Sequence, residues 1–432
     1  MEHIIPGWML IPFAAMLLSI AILPLIPKVG EWWESNWNKL LISLVLGVPT
    51  AAWLGLHHMS EAIVDQMIFD YVPFILLLTA LFVTTGGICI QGDLRATPLT
   101  NSIILAIGWV LASFMGTTGA AMLLIRLLLN TNKQRTYKVH TVLFFIAIVA
   151  NCGGLLSPLG DPPLFLLFQK GAAFTWWLQN MVFEWLLTGA MLLVVYFIID
   201  SIYFRKEPLE AHMADIREKT KVQTSGLINI FWLLCVIAST MFLNSTYIPA
   251  MGAPHAPWYL RLLREWAFIL IITASWLTTK KSVRVANDYS WTPILEVACV
   301  FVGIFATMTP ALMYLHEMKD TIQAFISEPW QYVYCTGLLS AFLDNAPTAM
   351  VFNSMAPEGA IAGLAADPFL KAISMGAVFF GSMTYIGNGP NFMVKSIAEQ
   401  EGIKMPSFFG YMAKFSLIIC LPIYIIVQLI LI

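Results

Sequence analysis

Ten stretches of this chain are each long enough to cross a bilayer and nearly free of charge: residues 8–26, 39–57, 71–90, 139–169, 178–204, 225–248, 264–279, 292–315, 367–397 and 406–432. A spanning helix needs about 20 mainly apolar residues. In hydrocarbon every backbone polar group must also find its partner within the protein, and helices do this internally. The runs therefore predict an all-α polytopic membrane protein. Charge supports this: 11% of the 432 residues are charged, against about 25% in soluble domains. The net charge of −2 suggests no nucleic-acid partner. Cysteines 89, 152, 235, 299, 335 and 420 lie in apolar segments, without the spacing of a zinc site or a disulfide frame. The first run has neither a basic n-region nor a small-residue cleavage site, so it is expected to be a retained span. No soluble domain is expected, and Arg205 to Thr224 is the longest polar stretch, expected to be a single loop.

Two further apolar segments are interrupted midway. Segment 99–130 carries Gly116-Thr117-Thr118-Gly119, and segment 328–355 carries Asp344-Asn345-Ala346-Pro347. Each could be a kinked span or a re-entrant hairpin. Charge placement favours hairpins. If neither segment crosses, 17 basic residues, Lys219 among them, fall on one side of the membrane and five (Lys170, Arg261, Arg264, Lys319, Lys371) on the other; Arg126 lies within the first hairpin. That asymmetry marks the cytoplasmic side. It gives ten crossings in a bacterial-type inner (plasma) membrane, with both termini outside the cytoplasm.

The interruptions repeat. Phe114 to Met122 aligns with Phe342 to Met350 at an offset of 228. Gly160-Asp161-Pro162-Pro163-Leu164-Phe165 aligns with Gly387-Asn388-Gly389-Pro390-Asn391-Phe392 at 227. The expected organisation is N-terminal scaffold helices (1–70), a first repeat (71–204: hairpin 99–130, broken helix 139–169), a connecting region (205–291) and a second repeat (292–432: hairpin 328–355, broken helix 367–397). Five crossings separate equivalent points, so the repeats would be inverted. Helices broken at corresponding positions of inverted halves point to a transporter's binding site.

Pro162 and Pro163 remove backbone donors and free the carbonyls of the preceding turn. Freed carbonyls suit a small hard cation, whereas half-helix N-termini favour anions. Asp161 adds a carboxylate. A charge at the bilayer centre costs about 2.5–3.5 kcal/mol or more, so such residues default to functional hypotheses. One Asp that holds either a proton or Na⁺ is the simplest antiport chemistry. Asp344 is the second candidate, with Asn345 beside it, and both carboxylates are Na⁺ candidates. Asn151, Thr117, Thr118, Ser157, Thr348 and Asn388 offer neutral oxygens. Either Asp could instead cap a half-helix, and the hydroxyls could serve helix packing. Glu184 and Glu296 lie near span starts, His57 and His58 at a span end. The 15 tryptophans suggest an aromatic belt.

The run Asn151-Cys152-Gly153-Gly154-Leu155-Leu156-Ser157-Pro158-Leu159-Gly160-Asp161 resembles the Asn-x-Gly-Gly…Ser-Pro-x-Gly-Asp signature of NhaD-type sodium/proton antiporters. These belong to the ion transporter superfamily, with arsenite pumps, citrate transporters and divalent anion/sodium symporters. The resemblance covers both repeats. It implies a scaffold part, a moving transport part, a homodimer and elevator-like alternating access. Pro162-Pro163 stands where Thr-Thr is expected, and the dicarboxylate symporters' Ser-Asn-Thr motifs are absent from both hairpin tips. The leading expectation is secondary transport of Na⁺ (or Li⁺) against H⁺, with no other cofactor. The alternative is a citrate or dicarboxylate transporter on the same fold. An intramembrane aspartyl protease would need two carboxylates sharing a proton, and offers no reason for an inverted repeat.

Overall fold

The computed structural model describes residues 5–218, 220–253 and 255–432; Lys219 lies outside the described residues. The chain is helical almost throughout. Among the described residues, eight helices are long and apolar enough to cross a membrane. The principal elements are α1 (Leu10–Ile22), α2 (Asn36–Leu56), α3 (Val72–Thr85), β1 (Cys89–Asp93), α4 (Pro98–Met115), α5 (Thr117–Thr131), α6 (Val139–Ile148), α7 (Pro162–Gln169), α8 (Val182–Lys206), β2 (Thr220–Ser225), α9 (Ile228–Phe242), α10 (Leu263–Thr278), α11 (Thr292–Glu317), α12 (Pro329–Phe342), α13 (Asn345–Met355), α14 (Asp367–Phe380), α15 (Gly389–Gln400) and α16 (Leu421–Leu431). The protein is a polytopic all-α membrane protein.

Both interrupted segments turn back on themselves. The arms α4 and α5 pack together, as do α12 and α13. Length alone would not reveal this, because α4 has 18 residues and could pass for a span. The reversal is made at Gly116, whose φ of 80° is a left-handed conformation. A Cβ there would also lie 3.3 Å from the Leu159 carbonyl, so glycine suits the site twice over.

Two of the long segments are interrupted partway. The first passes from α6 through a tight turn at Cys152–Leu156 and resumes as α7. The second passes from α14 through Gly381–Met383 and resumes as α15.

Two expectations need correction. Segment 225–248 forms a helix of only 15 residues, whereas 264–279 forms the 16-residue helix expected there, shifted by one residue. The first stops early because Asn244 turns the chain: its amide donates to Met241 O at 2.8 Å and its Oδ1 accepts from Thr246 N–H at 3.0 Å. The polar stretch 205–224 is not a simple loop. It contains a short helix, Leu209–Glu218, and then β2, which pairs antiparallel with β1. Thr220-Lys221-Val222-Gln223-Thr224 alternates β-branched with long polar residues, a pattern that suits a pleated surface.

The helices pack in two groups. In one, α11 lies on α1 and α2, while α3 lies on α9 and α10. In the other, both hairpins and both broken helices pack with α8 and α16. The groups meet where α5 lies on α3 and where α13 lies on α11.

Candidate functional site

The two breaks are built by one hydrogen-bonding scheme. Ser157 donates its hydroxyl to the Ser113 carbonyl near the end of the first hairpin's outer arm, and accepts from Leu159 N–H at 3.1 Å. At the equivalent place Thr384 donates to the Ala341 carbonyl and accepts from Ile386 and Gly387 N–H at 3.2 and 3.1 Å. Positions 157 and 384 differ by the same 227 as the sequence motifs. Each hydroxyl thus ties a hairpin arm to the break beside it. Small residues let the chain cross itself there: a Cβ on Gly160 would lie 2.0 Å from Gly154 O, and one on Gly387 would lie 2.6 Å from Gly381 O.

Three buried asparagines fasten one break to the other. Asn151 donates to Ile146 O at 2.8 Å and to Asn391 Oδ1 at 2.7 Å. Asn391 donates to Gly381 O and Thr384 O at 2.8 and 2.9 Å. Asn388 donates to Ala150 O at 3.1 Å and Asn151 Oδ1 at 3.2 Å. Many carbonyls freed by the breaks are therefore occupied by side chains, as buried backbone groups require. They are not left open as a cage for a cation.

Asp161 sits at the centre and is 1% exposed. Its Oδ1 accepts from Thr117 Oγ1 at 3.1 Å and Asn388 Nδ2 at 3.0 Å, and its Oδ2 accepts from Asn345 Nδ2 at 2.6 Å. These donors come from the first hairpin tip, the second break and the second hairpin tip. The backbone adds Thr117 N–H to Gly160 O at 2.8 Å. Four half-helices, α5, α7, α13 and α15, begin at this point, with their positive N-terminal ends around one carboxylate.

In front of these groups is a cavity of about 100 Å³. Thr117, Thr118, Asp344, Asn345 and Asn388 line its polar side, and Phe74, Leu81, Val297 and Phe301 from α3 and α11 line its apolar wall. Among the described residues, no Lys, Arg or His lines it. Asp161 stands one layer behind, screened by Thr117, Asn345 and Asn388. Among the described residues, no protein donor reaches the Oδ1 atoms of Asn345 and Asn388, and no hydrogen bond is made by the Thr118 hydroxyl.

Asp344 differs from Asp161. Its carboxylate accepts from Ala346 N–H at 3.0 Å and so caps α13. Thr348 donates to Asp344 O at 2.8 Å, within the same helix. The two carboxylates do not bond to each other, as an aspartyl dyad would. Of the sequence-predicted residues, Thr117, Asn345, Asn388 and Asp161 converge. Thr118 and Asp344 face the same cavity, Asn151 and Ser157 build the breaks, and Thr348 serves its own helix. Thr384 and Asn391 were missed. The 227 offset that maps Ser157 onto Thr384 would have found the first. Asn391 aligns with Leu164 and leaves no such signal.

A family model described as "Putative citrate transport" matches residues 2–432. The chain belongs to that citrate-transport family. The citrate-transport family member also resembles the uncharacterized transporter slr0753 of Synechocystis sp., 22% identical over 60% of this chain and 61% of that protein. Inner membrane protein YbiR of Escherichia coli is 23% identical over 57% of this chain and 59% of its own length. The human P protein is 25% identical over 45% of this chain and 24% of that protein. The chain thus spans about three fifths of the bacterial relatives' length and a quarter of the P protein's.

Proposed function

We propose that this protein is a secondary transporter that exchanges Na⁺ (or Li⁺) for H⁺, with Asp161 holding one or the other in turn. One observation carries the reading. The single buried carboxylate at the junction of both hairpins and both breaks is held only by neutral donors. When Asp161 is charged, Thr117, Asn345 and Asn388 stabilise it by hydrogen bonds worth about 1.5–3 kcal/mol each. When it is protonated, the same groups lose most of that gain, so the network's strength depends on its occupant. A cation entering the cavity would meet the free oxygens of Asn345, Asn388 and Thr118 before reaching Asp161. The cavity's size agrees: about 100 Å³ holds roughly three waters, while small-molecule sites begin near about 300 Å³. Asp344 is the weaker ion ligand, because its carboxylate is committed to Ala346. The reading places the two repeats in inverted orientation, moves the hairpin group against the other as an elevator, and expects a homodimer.

Family membership favours a second reading, transport of citrate or another carboxylate. The four half-helix N-termini would favour an anion. Against it stand the two carboxylates and the lack of any basic side chain in the cavity, so the anion would need coupled cations to neutralise it.

Reconstituted vesicles with an imposed pH gradient separate the two. Na⁺ or Li⁺ is expected to dissipate the gradient, and Asp161→Asn to reduce the rate at least a hundredfold while the protein stays folded. Accumulation of labelled citrate, with no Na⁺-driven proton movement, would establish the carboxylate reading instead.

A further inference from the structure

One face of the first hairpin's return arm stays partly open. Along α5 every residue is buried except Thr118, Met122, Arg126 and Asn130. Positions four apart lie on one side of a helix, so these four form a single stripe. At 1.5 Å per residue the stripe runs about 18 Å, a little more than half of a hydrocarbon core about 30 Å thick. A stripe facing lipid would be apolar. This one carries a hydroxyl, a guanidinium and a carboxamide.

The stripe has a cavity at each end. Thr118 lines the cavity in front of Asp161. Arg126 and Asn130 line a second cavity of about 150 Å³, which the antiport reading does not use. The same stretch of chain lies across from both. Pro293 and Ile294, at the start of α11, line the first, and Ala286 and Asn287 line the second. Beside the second cavity, Asp288 of that stretch bonds Arg126 at 2.8 Å and so ties the two walls together. Met122 stands between the cavities in the stripe and lines neither. An apolar narrowing of that kind can close a polar path by excluding water. The charges suit a cation. Arg126 is neutralised by Asp288, and the other charged residue on the second cavity's lining is Glu401.

We propose that the crevice between this stripe of α5 and residues 286–294 is the route by which the cation travels between Asp161 and one membrane face. Met122 is its narrowest point, and the Arg126–Asp288 bridge is its gate. The ion's identity rests on the antiport reading, and the face rests on the charge asymmetry, which makes it the cytoplasmic one.

The test uses the full chain in membrane vesicles and needs no transport. Single cysteines replace Thr118, Ala120, Met122, Leu124 or Leu128 in a background without the native cysteines, and an impermeant methanethiosulfonate is added from either side. Met122→Cys is expected to react from the face that exposes residue 133 and not from the other. Ala120→Cys, Leu124→Cys and Leu128→Cys replace buried side chains; they should react at least about tenfold more slowly, as enclosed thiols do. Asp288→Asn removes the bridge's charge with a residue that tolerates the φ of 45° there. It is expected to speed labelling of Thr118→Cys from that face about three- to fivefold, the most that a partly exposed pair can supply. Arg126→Gln should do the same, and the double variant no more than either, because both remove one interaction. Equal reactivity at 122 and 124, reaction of Met122→Cys only from the face opposite residue 133, or an unchanged rate in Asp288→Asn would overturn the proposal. Labelling as expected in vesicles that show no Na⁺-driven proton movement would leave the route standing and remove the antiport reading. Antiport with the stripe unreactive would do the reverse.

Discussion

Asp161 occupies the N-cap position of α7, yet its side chain does not cap the helix. A capping carboxylate accepts from the N–H of the second or third helical residue. Here the first two are Pro162 and Pro163, which have no N–H, and the third, Leu164, donates to the Asp161 carbonyl at 3.1 Å. The double proline thus releases the carboxylate for Thr117, Asn345 and Asn388. Asp344 is followed by Asn345 and Ala346, and the Ala346 N–H takes its carboxylate. The same residue type at two helix starts is assigned opposite work by the residues that follow. This predicts a difference. Asn caps as well as Asp, whereas Ala loses about 1 kcal/mol. Asp344→Asn is therefore expected to keep stability and antiport within a few-fold, and Asp344→Ala to lower stability by about 1 kcal/mol in denaturant titration. A hundredfold loss of antiport in Asp344→Asn would give its charge a direct part in ion binding. Asp161 was legible in the sequence because a carboxylate between Gly160 and Pro162 in an apolar run has few other reasons to exist. Its partners were legible only as candidates, since nothing local says that Asn345, 184 residues away, donates to it at 2.6 Å.

The broken helices show which parts of an element sequence can specify. Glycine and proline within an apolar run announce an interruption wherever they fall, so both breaks and both hairpin tips could be placed from residue types alone. The strand pair β1–β2 could not, because neither strand has a partner until the chain has folded; hairpin-free pairing between residues 89 and 225 leaves no local trace. The breaks depend on close backbone crossings, and this can be tested at matched positions. Alanine at Gly160 would place a methyl group 2.0 Å from Gly154 O, and at Gly387 2.6 Å from Gly381 O and 2.8 Å from Ser340 O. Backbone atoms cannot swing aside as side chains do, and overpacking of this kind costs about 1–3 kcal/mol or more. Gly389 starts α15 two residues later, and a methyl group there would have no neighbour within 4 Å. Gly160→Ala and Gly387→Ala are expected to lower the melting temperature and the yield of monodisperse protein, and Gly389→Ala to leave both near wild type. Equal tolerance at all three positions would mean that the crossings are looser than these contacts.

At the scale of the molecule, the ion pairs fall into two kinds. Lys39–Glu296 at 2.7 Å and Lys371–Glu184 at 3.4 Å each join helices of one group. Arg126–Asp288 at 2.8 Å and Lys170–Asp70 at 2.7 Å join the hairpin group to the other. Arg126 lies on the return arm α5, and Asp288 holds a strained φ of 45° in the turn before α11. Lys170 ends the half-helix that Asp161 begins. With re-entrant hairpins, the charge asymmetry of the sequence puts these two bridges on opposite membrane faces. Residues 133 and 319 are then expected to be labelled by impermeant thiol reagents from opposite sides. Arg126–Asp288 is exposed on the Asp288 side and contributes little to stability, about 0–1 kcal/mol; Lys170–Asp70 is more enclosed but keeps the Lys170 side chain partly exposed, and both are expected to break and re-form as the groups slide. If transport moves one group against the other, holding a bridge shut must stop it. Cysteines at 70 and 170, in a background without the native cysteines, would be joined by a bifunctional thiol reagent long enough to span the side chains they replace. Cross-linking is expected to abolish ion exchange, and a cleavable reagent to restore it on reduction. The control joins 395 and 399, an exposed pair one turn apart on α15 whose side chains lie 2.7 Å from each other. That link stays within one helix and should leave exchange unchanged. Full activity with 70 and 170 linked would show that α7 and the segment preceding α3 travel together, and would place the moving boundary elsewhere.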